Sequence, residues 1–377
     1  MFDITKIGEN IRYYRKRNGF TQNGLAERLH VSFQAVSGWE CGTALPDLDN
    51  LCRLATLFGV SLDTLVSVNF LGDEQVMIGV DGGGTKTEFV LFTSAGHVLG
   101  RVMLPGSNES VVGFDSAVEI LQNGIDLCLG KVANVVGIFL GIAGGHRGEI
   151  EHRLRERYPS MCIFVESDAC NALSSAKGDA ALICGTGSIL IYRTADGYDL
   201  KGGWGYRMGD PGSAYNIGRE AIRAALAIED GMRAESAIYP LLKEKMETAC
   251  VHTCFAVKSV SEIAALSTAV FAAHRVGDAT ATEILENEMR ALAPFIEATC
   301  RASGRRMIVC GGVMEHHSHV LLPMLRKYVS SDTEFIFPKL PPVYGACVEC
   351  CLRQGLPMGE AFGAHFEREY TMLKTNT

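Results

Sequence analysis

Over residues 7–66 the apolar positions recur at helical spacing; from Val76 onward they form short unbroken runs. Ile7, Ile11 and Tyr14 fall on one face between basic residues, and Asn18-Gly19 is a stop signal, so a helix over 7–17 is predicted. Thr21 caps a second helix with Leu25 and Leu29 inward, and His30-Val31 makes a tight turn. Ser32 caps a third helix through Trp39, with Val36 and Trp39 inward. Residues 48–58 and 61–66 make two more, parted at Gly59-Val60. Residues 69–75 are polar apart from Phe70 and Leu71 and read as a linker.

The pattern then turns strand-like. Residues 76–80 are an apolar strand, Asp81-Gly82-Gly83-Gly84-Thr85-Lys86-Thr87 a glycine turn, and 88–93 and 97–102 two further strands about a turn at 94–96. A Walker A or Rossmann loop leads into a helix; here a β-branched, aromatic strand follows, so neither fits. A strand–Gly/Thr–strand hairpin presents backbone N–H groups with no Cβ in the way, which suits a phosphate; a plain tight hairpin is the other reading. The device recurs: 180–184 is a strand, Gly185-Thr186-Gly187-Ser188 turns, and 189–193 is a strand. Two such hairpins about a hundred residues apart imply duplicated halves closing on the same phosphates across a cleft.

Composition narrows the function classes. The 377 residues are 47% hydrophobic and 21% charged, enough apolar mass for more than one core. No apolar run approaches a membrane span, and no basic-then-apolar leader opens the chain, so a cytoplasmic, membrane-free protein is expected. Thirteen scattered cysteines suit a reducing compartment rather than a disulfide scaffold. Neither Cys347, Cys350 and Cys351 nor His316, His317 and His319 have zinc-site spacing. The net charge of −8 is uneven: residues 1–66 carry seven Lys/Arg and seven Asp/Glu, so all of it belongs to the rest.

Thr21-Gln22, Leu25-Ala26, Val31-Ser32, Gln34-Ala35-Val36-Ser37, Trp39-Glu40 and Leu45-Pro46-Asp47 together resemble the Cro/C1-type (XRE-like) helix-turn-helix family across residues 5–67. The resemblance implies double-stranded DNA as partner of residues 1–67, with the third helix in the major groove. Ser32, Phe33, Gln34 and Ser37 would face the DNA, Gln34 as base reader, and Gln22 would meet a phosphate. Arg15, Lys16 and Arg17 are further candidates for the backbone. Phe33 and Gly38 depart from the basic residues frequent there. Such modules read paired half-sites, so a homodimer is expected. A protein–protein module is the alternative.

The body also carries a recognisable series. Gly79-Val80-Asp81-Gly82-Gly83-Gly84-Thr85-Lys86-Thr87, Gly106-Ser107-Asn108, Gly141-Ile142-Ala143-Gly144, Glu166-Ser167-Asp168-Ala169, Gly185-Thr186-Gly187-Ser188, Gly202-Gly203-Trp204-Gly205, Gly209-Asp210-Pro211-Gly212-Ser213-Ala214, Gly311-Gly312-Val313 and Gly345-Ala346 occur in that order. The series resembles the N-acetylglucosamine kinase and BadF/BadG ATPase family of the sugar kinase/Hsp70/actin superfamily. The expected fold is therefore an all-α five-helix domain (1–67), a linker (68–75) and a two-lobed α/β, actin-like and ribonuclease H-like ATPase. Its lobes would be 76–190 and 191–377, with a late helix returning to the first.

The resemblance implies ATP and Mg²⁺ as cofactors and assigns roles. Gly83, Gly84, Thr85 and Lys86 form one phosphate loop, Gly185, Thr186, Gly187 and Ser188 the other, and Asp81 holds the metal. Asp168, delivered by the apolar strand 163–165, is the general base; read alone, it would more often be a helix cap. Asn108, Asp168, Gly203, Trp204, Gly205 and Asp210 bind the sugar, with Trp204 as platform or, alternatively, as a packed core residue. Adenosine lies near Gly311, Gly312 and Gly345, with Gly277-Asp278 a weaker candidate. Ile189 and Lys201 depart from the animal kinases at the sugar pocket, so N-acetylglucosamine leads, followed by glucosamine or N-acetylmuramic acid. A related branch drives electron transfer through a shared iron–sulfur cluster; it would need Cys347, Cys350 and Cys351 at an interface. Two functions compete: an amino-sugar kinase coupled to transcription, and a sugar-responsive regulator whose kinase-like body no longer turns over.

Overall fold

The computed structural model describes residues 4–60, 62–66, 74–130, 135–248, 251 and 259–375. The chain divides into two compact units, Met1–Val76 and Met77–Thr377. The expected linker lies, up to residue 73, outside the described residues.

The first unit is five helices: α1 (Ile4–Arg17), α2 (Gln22–Leu29), α3 (Phe33–Glu40), α4 (Leu48–Phe58) and α5 (Leu62–Val66). Local chemistry sets their ends. Thr21, Ser32 and Asp47 cap α2, α3 and α4 by accepting from Gly24, Ala35 and Asn50 N–H groups. Gly59 ends α4 in the left-handed conformation, and so does His30 for α2. Ile7, Ile11, Leu25, Leu29, Val36, Trp39 and Leu54 share one buried core. The packing is tight where α1 crosses α3: a Cβ on Gly8 would stand 2.2 Å from the Trp39 carbonyl oxygen.

The second unit opens within β1 (Val76–Gly82), followed by β2 (Lys86–Thr93), β3 (Val98–Pro105), α6 (Glu109–Val112) and α7 (Phe114–Leu129). Next come β4 (Val135–Ile142), α8 (Arg147–Arg157), β5 (Cys162–Ser167) and α9 (Asp168–Ser174). The pattern restarts with β6 (Ala180–Cys184), β7 (Ser188–Thr194) and β8 (Gly197–Gly202). A helical stretch follows: α10 (Ala214–Glu229), α11 (Ile238–Met246), α12 (Val260–Ala265), α13 (Ser267–Arg275) and α14 (Ala279–Ser303). The unit closes with β9 (Arg306–Cys310), α15 (Gly312–Leu325), β10 (Glu334–Ile336), α16 (Pro342–Arg353) and α17 (Phe362–Thr375).

The strands form two five-stranded sheets, ordered β3-β2-β1-β4-β5 and β8-β7-β6-β9-β10. Each is one hairpin-linked trio followed by two crossover strands, the same plan twice. The second hairpin, β6–β7, opens the second sheet, so a lobe boundary at 190 cuts through β7; the sheets part between Ser167 and Ala180. One core joins them: Met77, Val90 and Phe92 of the first sheet and Ala181, Ile191 and Ile308 of the second pack with α9, α16 and α17. α16 packs on α9, β2 and β4, and α17 on β3, so the chain ends against its first sheet. No helix among the described residues is long and apolar enough to cross a membrane.

Candidate functional site

The strand trios deliver both glycine turns. β1 ends at Gly82 and β2 begins at Lys86, so the first turn is Gly83-Gly84-Thr85, closed by the Gly83 N–H donating to the Lys86 carbonyl at 3.0 Å. Its neighbours are fixed by backbone bonds. Ser107 N–H donates to Gly83 O at 3.0 Å and Ala143 N–H to Gly82 O at 2.8 Å. The turn therefore touches both the segment leading to Asn108 and the loop after β4. A Cβ on Gly84 would meet nothing within 4 Å, so that side of the turn is open, while its carbonyl backs closely onto Gly106. Lys86 and Ser188, expected within the loops, are instead the first residues of β2 and β7.

Asp81 lies beneath this turn. Burial pushes its carboxyl up to about 6, opposed by an amide N–H of Asn171 donating to Oδ1 at 2.7 Å and reinforced by the charge of Asp168. Asn171 and Asp168 sit on the same turn of α9. The Asn171 amide also donates to the carbonyls of Val80 (3.3 Å) and Gly141 (3.2 Å), tying α9 to β1 and β4. Ser167, not Asp168, caps α9, its hydroxyl accepting from Ala169 N–H at 3.3 Å. The Asp168 carboxyl accepts from the Ser167 hydroxyl at 3.2 Å. Burial raises its pKa, while Ser167, the Ala169 N–H and the Arg147 charge pull the other way.

The second turn, Gly185-Thr186-Gly187, leans on the start of α10: Ala214 N–H donates to Gly185 O at 2.8 Å. A Cβ on Gly185 would meet only Gly312 N, at 4.0 Å, which puts Gly311-Gly312 beside it. Asp210 joins this turn to Trp204. It holds φ +62°, accepts from Gly205 N–H at 3.2 Å, and its Oδ2 would be 2.7 Å from a Cβ on Gly187. Burial raises its carboxyl pKa. Trp204 is 76% exposed on a turn whose flanking Gly203 and Gly205 have φ +70° and +83°, so it is not a core residue. Cys310, at the end of β9, is pushed up to about 12 chiefly by burial, with smaller contributions from the charges of Glu315 and Asp81.

The profile of the BadF/BadG/BcrA/BcrD ATPase family matches residues 78–348. The chain belongs to that family. A helix-turn-helix profile matches residues 11–65. The chain is 30% identical over 311 residues to the N-acetyl-D-glucosamine kinase of Dictyostelium discoideum, covering 73% of this chain and 97% of that one. It is 30% identical over 299 residues to the N-acetylmuramic acid/N-acetylglucosamine kinase of Clostridium acetobutylicum, with the same coverage. The structure of a putative N-acetylglucosamine kinase from Chromobacterium violaceum shares the fold, at TM-score 0.60 and 22% identity over 73% of this chain and 98% of that one.

Within this family member, several positions singled out in the sequence are committed to the fold. Gly345 is buried inside α16, where a Cβ would stand 1.8 Å from the Asn171 carbonyl oxygen, so helix packing alone requires a glycine there. Asp278 caps α14 and accepts from Ala281 N–H (2.9 Å) and Ala237 N–H (2.7 Å), so both oxygens are engaged. Cys347, Cys350 and Cys351 are fully buried among the joined cores, and burial raises all three thiols, so they present nothing to an interface. His317 stacks on Phe271 at 3.5 Å between ring centroids.

Residues absent from the sequence reading complete the site. Asn171 is one. Glu109, next to Asn108, is buried and accepts from the Gly145 and His146 N–H groups, which shapes the loop after β4. Burial would raise its carboxyl, and those donors hold it below its usual range. Gly144 in that loop has φ +124°, and a Cβ there would lie 1.7 Å from Glu109 Oε2. The same loop carries Arg147. Buried Glu288 accepts from Gly212 N–H at 2.7 Å and steadies the turn after Asp210. Asn171's signal, three residues after Asp168 on a helix, is visible in the sequence; the others depend on the sheet order.

In the first unit, Phe33 and Gln34 are exposed at the start of α3 and Ser37 is half-buried one turn on. The Ser32 hydroxyl is committed to capping. Gln22 donates to Glu40 Oε2 at 2.8 Å. Arg15 is no free phosphate contact: it is buried and bonds Glu40 through Nε (2.5 Å) and Nη2 (3.0 Å).

Proposed function

We propose that the body transfers the γ-phosphoryl group of ATP to the 6-hydroxyl of an amino sugar, N-acetylglucosamine first, with glucosamine and N-acetylmuramic acid as the alternatives. The observation that carries this is the shared placement of Asp81, Asn171 and Asp168 beneath an open glycine turn. Asp168 accepts the hydroxyl proton; its raised pKa makes it a better base than an exposed carboxylate. The backbone N–H groups of Gly83, Gly84 and Thr85 and those of Gly185, Thr186 and Gly187 receive the phosphates. Trp204 offers its face to the sugar ring, and Asn108 and Asp210 its polar bonds.

Asp81 fits a cation: it is a buried carboxylate whose described hydrogen-bonding partner is one amide. Asp81 would hold Mg²⁺, which when bound neutralises phosphate charge. The kinase names of two relatives covered over 97% of their length support the reading, and one of them acts on N-acetylmuramic acid as well.

The front unit reads double-stranded DNA as part of a homodimer, and sugar occupancy of the body alters that binding. ATP and DNA as partners suit a cytoplasmic setting. A coupled ADP-release assay over a panel of hexosamines, with Asp168→Asn alongside, tests the enzyme: turnover with one amino sugar that the variant abolishes is expected. Operator affinity measured with and without saturating sugar and nucleotide tests the coupling; indifference would refute it.

A further inference from the structure

α8 carries four arginines, and three of them are neutralised. Arg153 pairs with Asp115 at 3.3 Å, Arg155 with Glu151 at 2.6 Å and Arg157 with Asp126 at 2.7 Å. Arg147 is the exception. Its one direct bond among the described residues is to the Gly144 carbonyl, and no described carboxylate lies within 4.0 Å of its guanidinium. It is half-buried, and it is the first residue of α8, where the helix dipole disfavours a cation. A partly desolvated guanidinium with N–H groups to spare, at the wrong helix end, is costly unless an anion comes to it.

Its position says which anion. In the first sheet β4 lies between β1, which carries the glycine turn and Asp81, and β5, which delivers Asp168. Arg147 follows β4, so its loop runs between the phosphate turn and the base. That loop is anchored to the turn by Ala143 N–H donating to Gly82 O at 2.8 Å. It is shaped from the other side by the buried Glu109 carboxylate, which accepts from Gly145, His146 and the His146 ring. Arg147 also acts on the Asp168 carboxyl electrostatically. Glu109 is taken up by the loop, and Asp168, whose carboxyl feels the Arg147 charge, lies beyond ion-pair distance.

We propose that Arg147 is a catalytic residue whose guanidinium bonds the equatorial oxygens of the phosphoryl group in flight between ATP and the sugar. This rests on the kinase reading above. The sugar oxygen–phosphorus bond forms as the bond from phosphorus to the ADP oxygen breaks. The hydroxyl proton passes to Asp168 and the electron pair leaves with ADP. Arg147 exchanges no proton; it offsets charge that is spread over the phosphoryl oxygens during transfer.

The test uses the full chain with N-acetylglucosamine and N-acetylmuramic acid as acceptors, and Arg147→Ala and Arg147→Lys. Arg147→Ala should lower kcat ~100- to 1,000-fold with both sugars, with sugar KM nearly unchanged, as for loss of one transition-state donor. Added guanidinium ion should restore Arg147→Ala at least about tenfold, and Arg147→Lys should fall between the two, as a point charge without the planar fork. A loss confined to KM for N-acetylmuramic acid would overturn the proposal and make Arg147 a reader of the substrate carboxylate. Unchanged kcat, or a loss that tracks a lowered melting temperature and resists guanidinium, would overturn it too. Wild-type protein that turns over neither sugar would instead refute the kinase reading, and this proposal with it.

Discussion

Gly345 and Gly185 are both glycines of the resemblance series, and the same substitution at each should have opposite signatures. At Gly345 an added methyl would lie 1.8 Å from Asn171 O, 2.7 Å from its carbonyl carbon and 3.0 Å from its Cα. All three are backbone atoms, so no rotamer change relieves the clash, and α16 must retreat by about 1.6 Å to reach ordinary contact. Overpacking of this kind costs up to ~3 kcal/mol, and the better helix propensity of alanine returns ~1 kcal/mol. The net, about 2 kcal/mol, should lower the melting temperature of the body by roughly 4–6 °C. Because Asn171 moves, its 2.7 Å bond to Asp81 is disturbed and kcat should fall about tenfold or more. At Gly185 the added methyl meets nothing nearer than 4.0 Å, so melting should shift by less than about 1 °C. The methyl would instead stand in the phosphate turn and raise the ATP KM about tenfold or more. Differential scanning calorimetry and initial rates separate the two. Gly345→Ala with wild-type melting and kcat would refute the packing argument, and Gly185→Ala with an unchanged ATP KM would refute the phosphate turn.

Further outcomes follow from the same geometry. Burial raises the Asp168 pKa, and the base works only when ionised, so kcat/KM should fall on the acid side with a midpoint above the ordinary aspartate value of 3.8. The sign for stability is the reverse of a paired carboxylate: the folded state prefers the neutral form, so Asp168→Asn should melt higher than wild type at pH 7 and lose that advantage as the pH falls. Trp204→Ala removes a side chain that is 76% exposed, so stability should change by less than ~0.5 kcal/mol while sugar KM rises, read by calorimetry and by titration of the sugar. Glu40→Ala strands the buried Arg15 guanidinium and should cost ~3–5 kcal/mol in the front unit; helix signal and DNA binding should fall together while turnover by the body persists.

What was legible in the sequence was local. Thr21, Ser32, Asp47 and Gly59 announce helix ends because capping is a contact between near neighbours. The two strand–glycine–strand hairpins announce themselves for the same reason. What escaped depends on long-range arrangement. Arg15 looked free because its partner Glu40 is 25 positions away. The helix approach at Gly345 is not legible because a glycine required by packing and one required by a ligand are the same letter. The loop that Glu109 shapes and Arg147 follows reaches the site because β4 inserts between β1 and β5, an order that periodicity does not encode. The lobe boundary slipped for a related reason: the β6–β7 hairpin copies the β1–β2 hairpin, but it starts the second sheet rather than finishing the first.

The central question for the molecule is whether the cleft beneath the first glycine turn moves a phosphoryl group to an amino sugar with Asp168 as base. The direct measurement is ADP release by the full chain with N-acetylglucosamine, glucosamine and N-acetylmuramic acid, with the phosphorylated sugar identified and Asp168→Asn run in parallel. Sugar-dependent ADP release with phosphate on the 6-oxygen, lost in Asp168→Asn while the variant still binds sugar, is the predicted result. Sugar binding without turnover by the wild type, or turnover that survives Asp168→Asn, would contradict it.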